Sequence, residues 1–404
     1  MGVIFKGVQL MLEDGIETGD LRIADGRIAE IGSDLAGETV PGADGLMLAP
    51  ALIDIHGDAF ERQVMPRPNV FFPLDAALID TDRQLAANGI ATAYHALTLG
   101  WEPGLRDVNR GLSMIRALKA LAPHLLVENR VQLRWETFAF EALPVMEEAL
   151  AGPLTPAIAF NDHTSMTMRA YDLPIQERAF EHSPEFAVAA LDDERMTERC
   201  ASKARRSGLA EDSYIALLSR IWDRRAEVPA MIGRVAAMGR AAGAPMLSHD
   251  DTRVETRDWY RGIGARVSEF PMTRPVADAA RDAGDVIVFG APNAVRGGSH
   301  IGSLGAGDMV EAGLCDALAS DYFYPAMLAG VARLDDEKRA PRHELWKSIS
   351  TGPARAMGLA DRGRLAVGLR ADLVLLDWPE GGAPRIRETR VAGRPAYRAV
   401  PHGG

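Results

Sequence analysis

The sequence predicts an α/β fold, a (β/α)8 TIM-like barrel with a small β-sandwich domain formed by both termini. Three observations support it. Eight apolar, strand-like runs recur between residues 47 and 320, helical patterns lie between most of them, and both ends of the chain read as short strands separated by turns. Strand–helix alternation argues for parallel strands joined by crossover helices, and eight of them over roughly 290 residues suit a closed barrel.

At the N-terminus the strand candidates are Val3–Phe5, Val8–Met11, Leu21–Ile23 and Ile28–Ile31, with turns at Asp14-Gly15, Asp25-Gly26 and Gly32-Ser33. The closing stretch RGRLAVGLRADLVLLDW and a last strand near Arg387–Ala392 repeat that pattern. Residues 1–49 and 357–404 are therefore expected to form one composite β domain around a barrel spanning 50–356. The barrel strands are expected at 47–55, 91–97, 127–135, 156–161, 244–248, 265–270, 286–290 and 314–320. Helical patterns occupy Ala76–Ala87, Pro103–Leu121 and Val276–Ala283. The stretch 164–243 is charged, rich in Arg and Glu and mostly helical in pattern, and reads as an insertion after the fourth barrel strand.

The bulk composition narrows the function. Of 404 residues, 47% are hydrophobic and 25% charged, a globular balance. Lys and Arg number 45 against 56 Asp and Glu, a net charge of −11, which argues against nucleic acid as a partner. Local arginines still permit an anionic substrate. Cys200 and Cys315 form no CxxC pair, so neither a disulfide framework nor a cysteine zinc site is expected, and a reducing cytoplasm fits. No signal-like segment is read at the N-terminus, and no apolar run reaches the roughly 18 residues a membrane span needs.

A set of metal-ligand residue types recurs at strand ends. His56-Gly57-Asp58 follows the run LAPALIDI, and residues i and i+2 of a strand share a face. Glu136 ends VQLRWE, His163 ends AIAFNDH, His249 ends APMLSH and Asp321 ends ALASD. A barrel gathers such ends at one mouth. Six groups of this kind would repel one another or stay unsatisfied without cations between them. Two divalent ions meet that need, zinc first, with manganese or iron also suited to the donors. Glu136 reads as a bridging ligand or as the salt-bridge partner of Arg134. Asp58 reads as a ligand or as the support of one. His95, inside the second barrel strand, points into the mouth or is a satisfied interior histidine.

The loop APNAVRGGSHIG, residues 291–302, follows the seventh strand and gathers Asn293, Arg296, Gly297, Gly298, Ser299 and His300. Glycines let backbone N–H groups approach a phosphate, and arginine offers it a two-pronged fork. Loops after strands seven and eight often hold phosphate in this architecture. The alternative is a glycine-rich turn capping the next helix, with Arg296 in a salt bridge. Arg62 and Arg67 add positive charge at the mouth or are solvated loop residues.

LAPALIDIHGD together with GRLAVGLRADLVLLD resembles the amidohydrolase superfamily. FERQVMPRPNVFFPLDAAL, LSHDDT, FGAPNAVRGGSHIG and ASDYFYPAML are similar to one branch, the α-D-ribose 1-methylphosphonate 5-triphosphate diphosphatases of phosphonate breakdown. The likeness runs from residue 1 to 398 and is weakest between 165 and 240. It departs from the branch at His95, at Trp101 and in HTSMTMRAYD, all near the mouth. The resemblance implies hydrolysis of a triphosphate chain, releasing pyrophosphate and leaving the 5-phosphate of that sugar or of a related phosphorylated compound. It also implies that His56, Asp58, His163, His249 and Asp321 bind or serve the metals. On this reading a water activated by two ions attacks phosphorus, Asp321 is the general base, and His300 or Arg296 neutralises phosphate charge. The expected partner is a small phosphorylated substrate, with self-association of the barrel also expected. Two competing readings are hydrolysis of a cyclic amide or N-acyl bond and non-catalytic binding of a phosphorylated ligand.

Overall fold

The computed structural model describes residues 2–298, 302 and 304–400. Ser299 and His300 lie outside the described residues. Among those residues, no helix is long and apolar enough to cross a membrane.

The first domain is one sheet shared by both ends of the chain. Its strands are β1 Val3–Met11, β2 Ile16–Ala24, β3 Arg27–Gly32, β4 Glu38–Thr39 and β5 Met47–Pro50, joined late in the chain by β14 Leu373–Asp377, β15 Arg385–Val391 and β16 Arg394–Arg398. The order is β16-β15-β14-β5-β1-β2-β3, with β4 beside β1. Strand β5 seams the two ends, parallel to β1 on one side and antiparallel to β14 on the other. The candidates Val3–Phe5 and Val8–Met11 are a single strand, irregular between Phe5 and Val8, where Gly7 takes φ +64. Asp25 and Gly26 both adopt positive φ, the geometry of a tight hairpin turn that follows the strand twist. Phe5, Val8, Leu10, Leu21, Leu48 and Leu373 supply its buried core.

The barrel comprises β6 Leu52–Gly57, β7 Ile90–Leu99, β8 Glu128–Glu136, β9 Ala157–Asn161, β10 Met246–His249, β11 Val267–Glu269, β12 Val286–Gly290 and β13 Ala317–Ala319. All pair in parallel, in chain order. The ring closes where Asp58 N–H donates to Asp321 O at 2.9 Å and Asp321 N–H donates to His56 O at 2.8 Å. Beneath that seam the buried Asp54 carboxylate accepts from Ser320 N at 3.0 Å and Ser320 Oγ at 2.5 Å. The interior is filled by Ile53, Ile55, Leu247, Val267 and Val288, with alanines where strands crowd. It is a packed core, so chemistry is confined to the strand ends.

The stretch 164–243 is less helical than its pattern suggests. Helices occupy His163–Met168, Glu194–Ser207, Glu211–Trp222 and Val228–Ala242, while 169–193 holds only the short turn Ile175–Glu177. Pro174 and Pro184 interrupt that segment, and arginines satisfy its carbonyls in place of helical bonds. Arg178 donates to Ile175 O and Asp250 O, and Arg199 to Thr167 O and Arg169 O. The helix Val228–Ala242 is the ordinary crossover into β10.

At the opposite end of the barrel, Glu128 at the start of β8 meets Arg130 at 2.5 Å, Arg362 at 3.0 Å and Arg370. Burial opposes its charge, but the three guanidinium groups outweigh it and hold the carboxyl down at about 2. A folded-state value below the ordinary 4.5 gives stability that is full above pH 4.5 and fades as pH falls through about 2. Glu128→Gln is expected to cost about 3 kcal/mol at neutral pH. Urea midpoints of the two proteins should converge between pH 4.5 and pH 2. An undiminished gap at the acid end contradicts the account.

Candidate metal centre and active site

Glu269 organises the floor of the barrel mouth. It is the last residue of β11 and fully buried. Its Oε1 lies 3.0 Å from His56 Nδ1 and its Oε2 2.8 Å from His249 Nδ1. Gln132 Nε2 donates to Oε1 at 2.7 Å. Burial opposes ionisation of this carboxyl, but His56 and His249 overcome it and hold its pKa far below the usual carboxylate range. A carboxylate facing both Nδ1 atoms sets hydrogen there, so each ring turns an Nε2 lone pair to the mouth. The two imidazoles lie nearly parallel, 5.5 Å between centroids, with Phe270 packed edge-on to both.

Donor atoms gather above this floor. His56, Asp58 and Asp321 bring one donor each within 4.8 Å of one another, and so do His163, His249 and Asp250. Burial raises the Asp321 pKa; the neighbouring His56 lowers it and the Asp58 charge adds to the rise. Carboxylates crowded at a buried spot beside outward imidazole lone pairs are the donor chemistry of a divalent cation, so the residues fit such an ion.

The backbone at the mouth is held away from its easy conformations. Asp250, Phe270 and Asp321 follow β10, β11 and β13 at φ 58, 55 and 55. Each costs on the order of 1–3 kcal/mol, and their concentration here is what functional sites show.

The other expected site residues fall into three groups. Glu136 ends β8 and turns to His163: Oε1 lies 2.5 Å from His163 Nδ1, and Oε2 accepts the His163 N–H at 3.2 Å. The salt bridge to Arg134 weighed for it does not form. His163 itself sits at the start of a short helix capped by Asp162, two residues beyond the end of β9. Glu136 and His163 line a side hollow of about 110 Å³ together with Trp101, Arg106, Lys203 and Arg206.

The main cavity, about 300 Å³, holds His56, Asp58, His249 and Asp321 with Arg106, Arg134 and Arg296. Arg296 stands at its exposed rim, 3.3 Å from the Tyr322 hydroxyl, while Arg62 lies over the Tyr322 ring. Asn293 reaches the cavity edge, but its amide is used on the chain: Nδ2 donates to Leu304 O and Oδ1 accepts from Ala306 N, both at 2.9 Å. Gly297 ends the helix Ala291–Arg296 at φ 75, where an added Cβ would come 2.7 Å from the Arg333 guanidinium. Gly297 thus ends the helix that precedes it, which differs from the expected cap of the next helix. His95 is interior: it is buried against Asn129 Oδ1 at 2.7 Å, and burial drives its pKa down to about 4.

Three residues of the centre escaped the sequence reading: Glu269, Asp250 and Arg134. Glu269 ends the sixth strand in ARVSE just as Glu136 ends the third. Asp250 adjoins His249, and Arg134 shares the inward face of β8 with Glu136 by simple alternation.

The comparisons with known proteins agree with this geometry. The family model described as "Amidohydrolase family" matches residues 161–397. The α-D-ribose 1-methylphosphonate 5-triphosphate diphosphatase of Escherichia coli K12 is 30% identical over 385 residues, covering 92% of this chain and 94% of that protein. Among solved structures, a zinc-bound adenosine deaminase from Xanthomonas campestris superposes with a TM-score of 0.60 at 11% identity, over 98% of this chain and 92% of that one. Dihydropyrimidinase from Brevibacillus agri gives 0.54 at 13% identity, over 98% and 95%. These distant structures share the fold; the nearly full-length relative and the family match go further, and the chain belongs to the amidohydrolase family as a hydrolytic enzyme.

Proposed function

We propose that the protein cleaves α-D-ribose 1-methylphosphonate 5-triphosphate, or a closely related phosphorylated sugar, to its 5-phosphate and pyrophosphate. The observation behind this reading is the meeting of metal-type donors and three arginines in one cavity, in a chain aligned over 92% of its length with the E. coli diphosphatase. Arg106 is already gripped by Glu61, but Arg134 and Arg296 face the cavity with no two-pronged carboxylate partner, which suits a polyanion, whereas a neutral amide has no use for them.

His56, Asp58 and Asp321 would hold one ion and His163, His249 and Asp250 a second, with zinc the leading candidate. Such ions supply a water of lowered pKa and polarise a phosphoryl oxygen. The chain's own groups do the rest. Asp321, at the seam of the barrel, takes the proton of the attacking water. Glu269 keeps the His56 and His249 rings in one tautomer, and Glu136 does the same for His163. Arg296 and Arg62 meet the outer phosphates at the rim.

The test is a screen of metal-reconstituted protein. Pyrophosphate release is expected from ribose triphosphates, with cyclic amides and N-acyl compounds left intact. Turnover of an amide, with every triphosphate untouched, would overturn the proposal and favour the chemistry named for the dihydropyrimidinase neighbour.

A further inference from the structure

We propose that Arg134 is a catalytic residue whose guanidinium receives an oxyanion of the group under attack, so that the centre demands a substrate with several anionic oxygens on its reacting atom. The inference deepens the phosphohydrolase reading and rests on it for the identity of the oxyanion.

Arg134 lies on β8, where alternation places Gln132, Arg134 and Glu136 on the inner face. Its side chain is 9% exposed. A guanidinium has five N–H donors and needs an anionic partner when it is buried. Arg134 has one such partner, held by a single long contact. Nε donates to the neutral Asn161 Oδ1 at 3.1 Å, Nη1 to Asp58 Oδ2 at 3.4 Å and Nη2 to His249 Nε2 at 3.3 Å. No carboxylate meets it as a fork.

Two other sheltered arginines are gripped by carboxylates. Arg106 grips Glu61 through two bonds of 2.7 and 2.8 Å, and Arg178 holds Glu181 at 2.8 Å plus two backbone carbonyls. Arg134 meets a single carboxylate oxygen, Asp58 Oδ2, and no carboxylate in two-pronged fashion, so its fork can still take an anion.

A further anion would lie where the fork opens. Both Nη atoms already touch members of the donor groups, Asp58 and His249, and the head lines the main cavity. An anionic group at the centre would meet, on one side, the cations that these donors would hold and, on the other, the fork. A phosphoryl group can do both at once, because it has oxygens enough to share. An amide carbonyl offers one oxygen and no charge. In trigonal-bipyramidal displacement at phosphorus, negative charge is spread over the equatorial oxygens, and a fixed fork aimed there assists the reaction without reorganising.

The test uses full-length, metal-reconstituted protein with Arg134→Gln and Arg134→Lys. The probe is inorganic pyrophosphate, titrated calorimetrically, alongside metal content, melting temperature and triphosphate turnover. Bound metal should stay at the wild-type level in both variants. Pyrophosphate affinity should fall about tenfold or more in Arg134→Gln, and turnover about 10²–10³-fold. Lysine should restore only part of each, since a point charge replaces a planar fork.

Wild-type pyrophosphate affinity in a folded, metal-loaded Arg134→Gln protein would overturn the inference. So would a metal deficit whose correction restores both affinity and turnover, because Arg134 would then only neutralise Asp58. If the glutamine variant does not fold, Arg134→Lys decides, and wild-type affinity and rate there are equally fatal. The two readings fail separately. A wild type that binds pyrophosphate through Arg134 yet hydrolyses no triphosphate loses the proposed activity and keeps this residue's role; undiminished triphosphate turnover in Arg134→Gln does the reverse.

Discussion

Asparagine in place of Asp321 is expected to lower turnover about 10³-fold while leaving the fold intact and the protein able to bind divalent metal. The substitution isolates the carboxylate. Asp321 sits at φ 55, a left-handed conformation that asparagine tolerates at least as well as aspartate. Its backbone closes the barrel through the bonds to His56 O and from Asp58 N, and those survive a side-chain change. Alanine would add about 1 kcal/mol of backbone strain or more and confuse the result. What asparagine removes is a proton acceptor. Burial and the Asp58 charge raise the basicity of that acceptor, with His56 opposing. Pyrophosphate release and metal content should be measured on the same preparation. Turnover within a few-fold of wild type would strip Asp321 of the general-base role. Full recovery in excess metal would make it a ligand and nothing more.

How much of this centre was legible in the sequence depended on which physical rule placed each residue. His56, Asp58, His249 and Asp321 were readable because a barrel turns every strand end to one mouth, whatever the loops do. The same rule reached Glu136 and His163 but could not say that they would bond to each other, because that depends on a one-turn helix start set by the Asp162 cap. Glu269 obeyed the strand-end rule too. The strand expected at 265–270 put it inside the run rather than at its end, whereas the strand is Val267–Glu269 and Glu269 closes it. Arg134 enters the sequence reading only as the alternative salt-bridge partner of Glu136, yet its partners are Asp58 just beyond β6, Asn161 on β9 and His249 on β10. The segment 169–193 misled for another reason. Its charge pattern is that of a helix, but the arginines bond to carbonyls across the loop, and no local rule anticipates such distant acceptors.

Glu269→Gln should act on metal binding before it acts on rate. The carboxylate has two acceptor oxygens, one for each Nδ1 of His56 and His249, and Gln132 donates to it as well. Glutamine keeps one acceptor and turns the other into an NH2 donor. The ring facing that NH2 must become an acceptor at Nδ1 and carry its hydrogen on Nε2, which removes the lone pair it offers the mouth. Loss of one outward lone pair and of a buried anion supporting two ligands should weaken metal binding about 10–100-fold. Stability should fall by about 1–3 kcal/mol, because the buried carboxylate shared by His56, His249 and Gln132 is lost. Zinc competition against a chelator measures the first effect. Nitrogen NMR of the metal-free protein reads the second link directly: wild type should show Nδ1–H on both rings, and the variant Nε2–H on one. Wild-type zinc affinity with both rings unchanged would mean that Glu269 does not set the tautomers. The contrast with Asp321→Asn is then diagnostic, since that variant loses rate with its metal in place, whereas Glu269→Gln should recover much of its rate as zinc is raised.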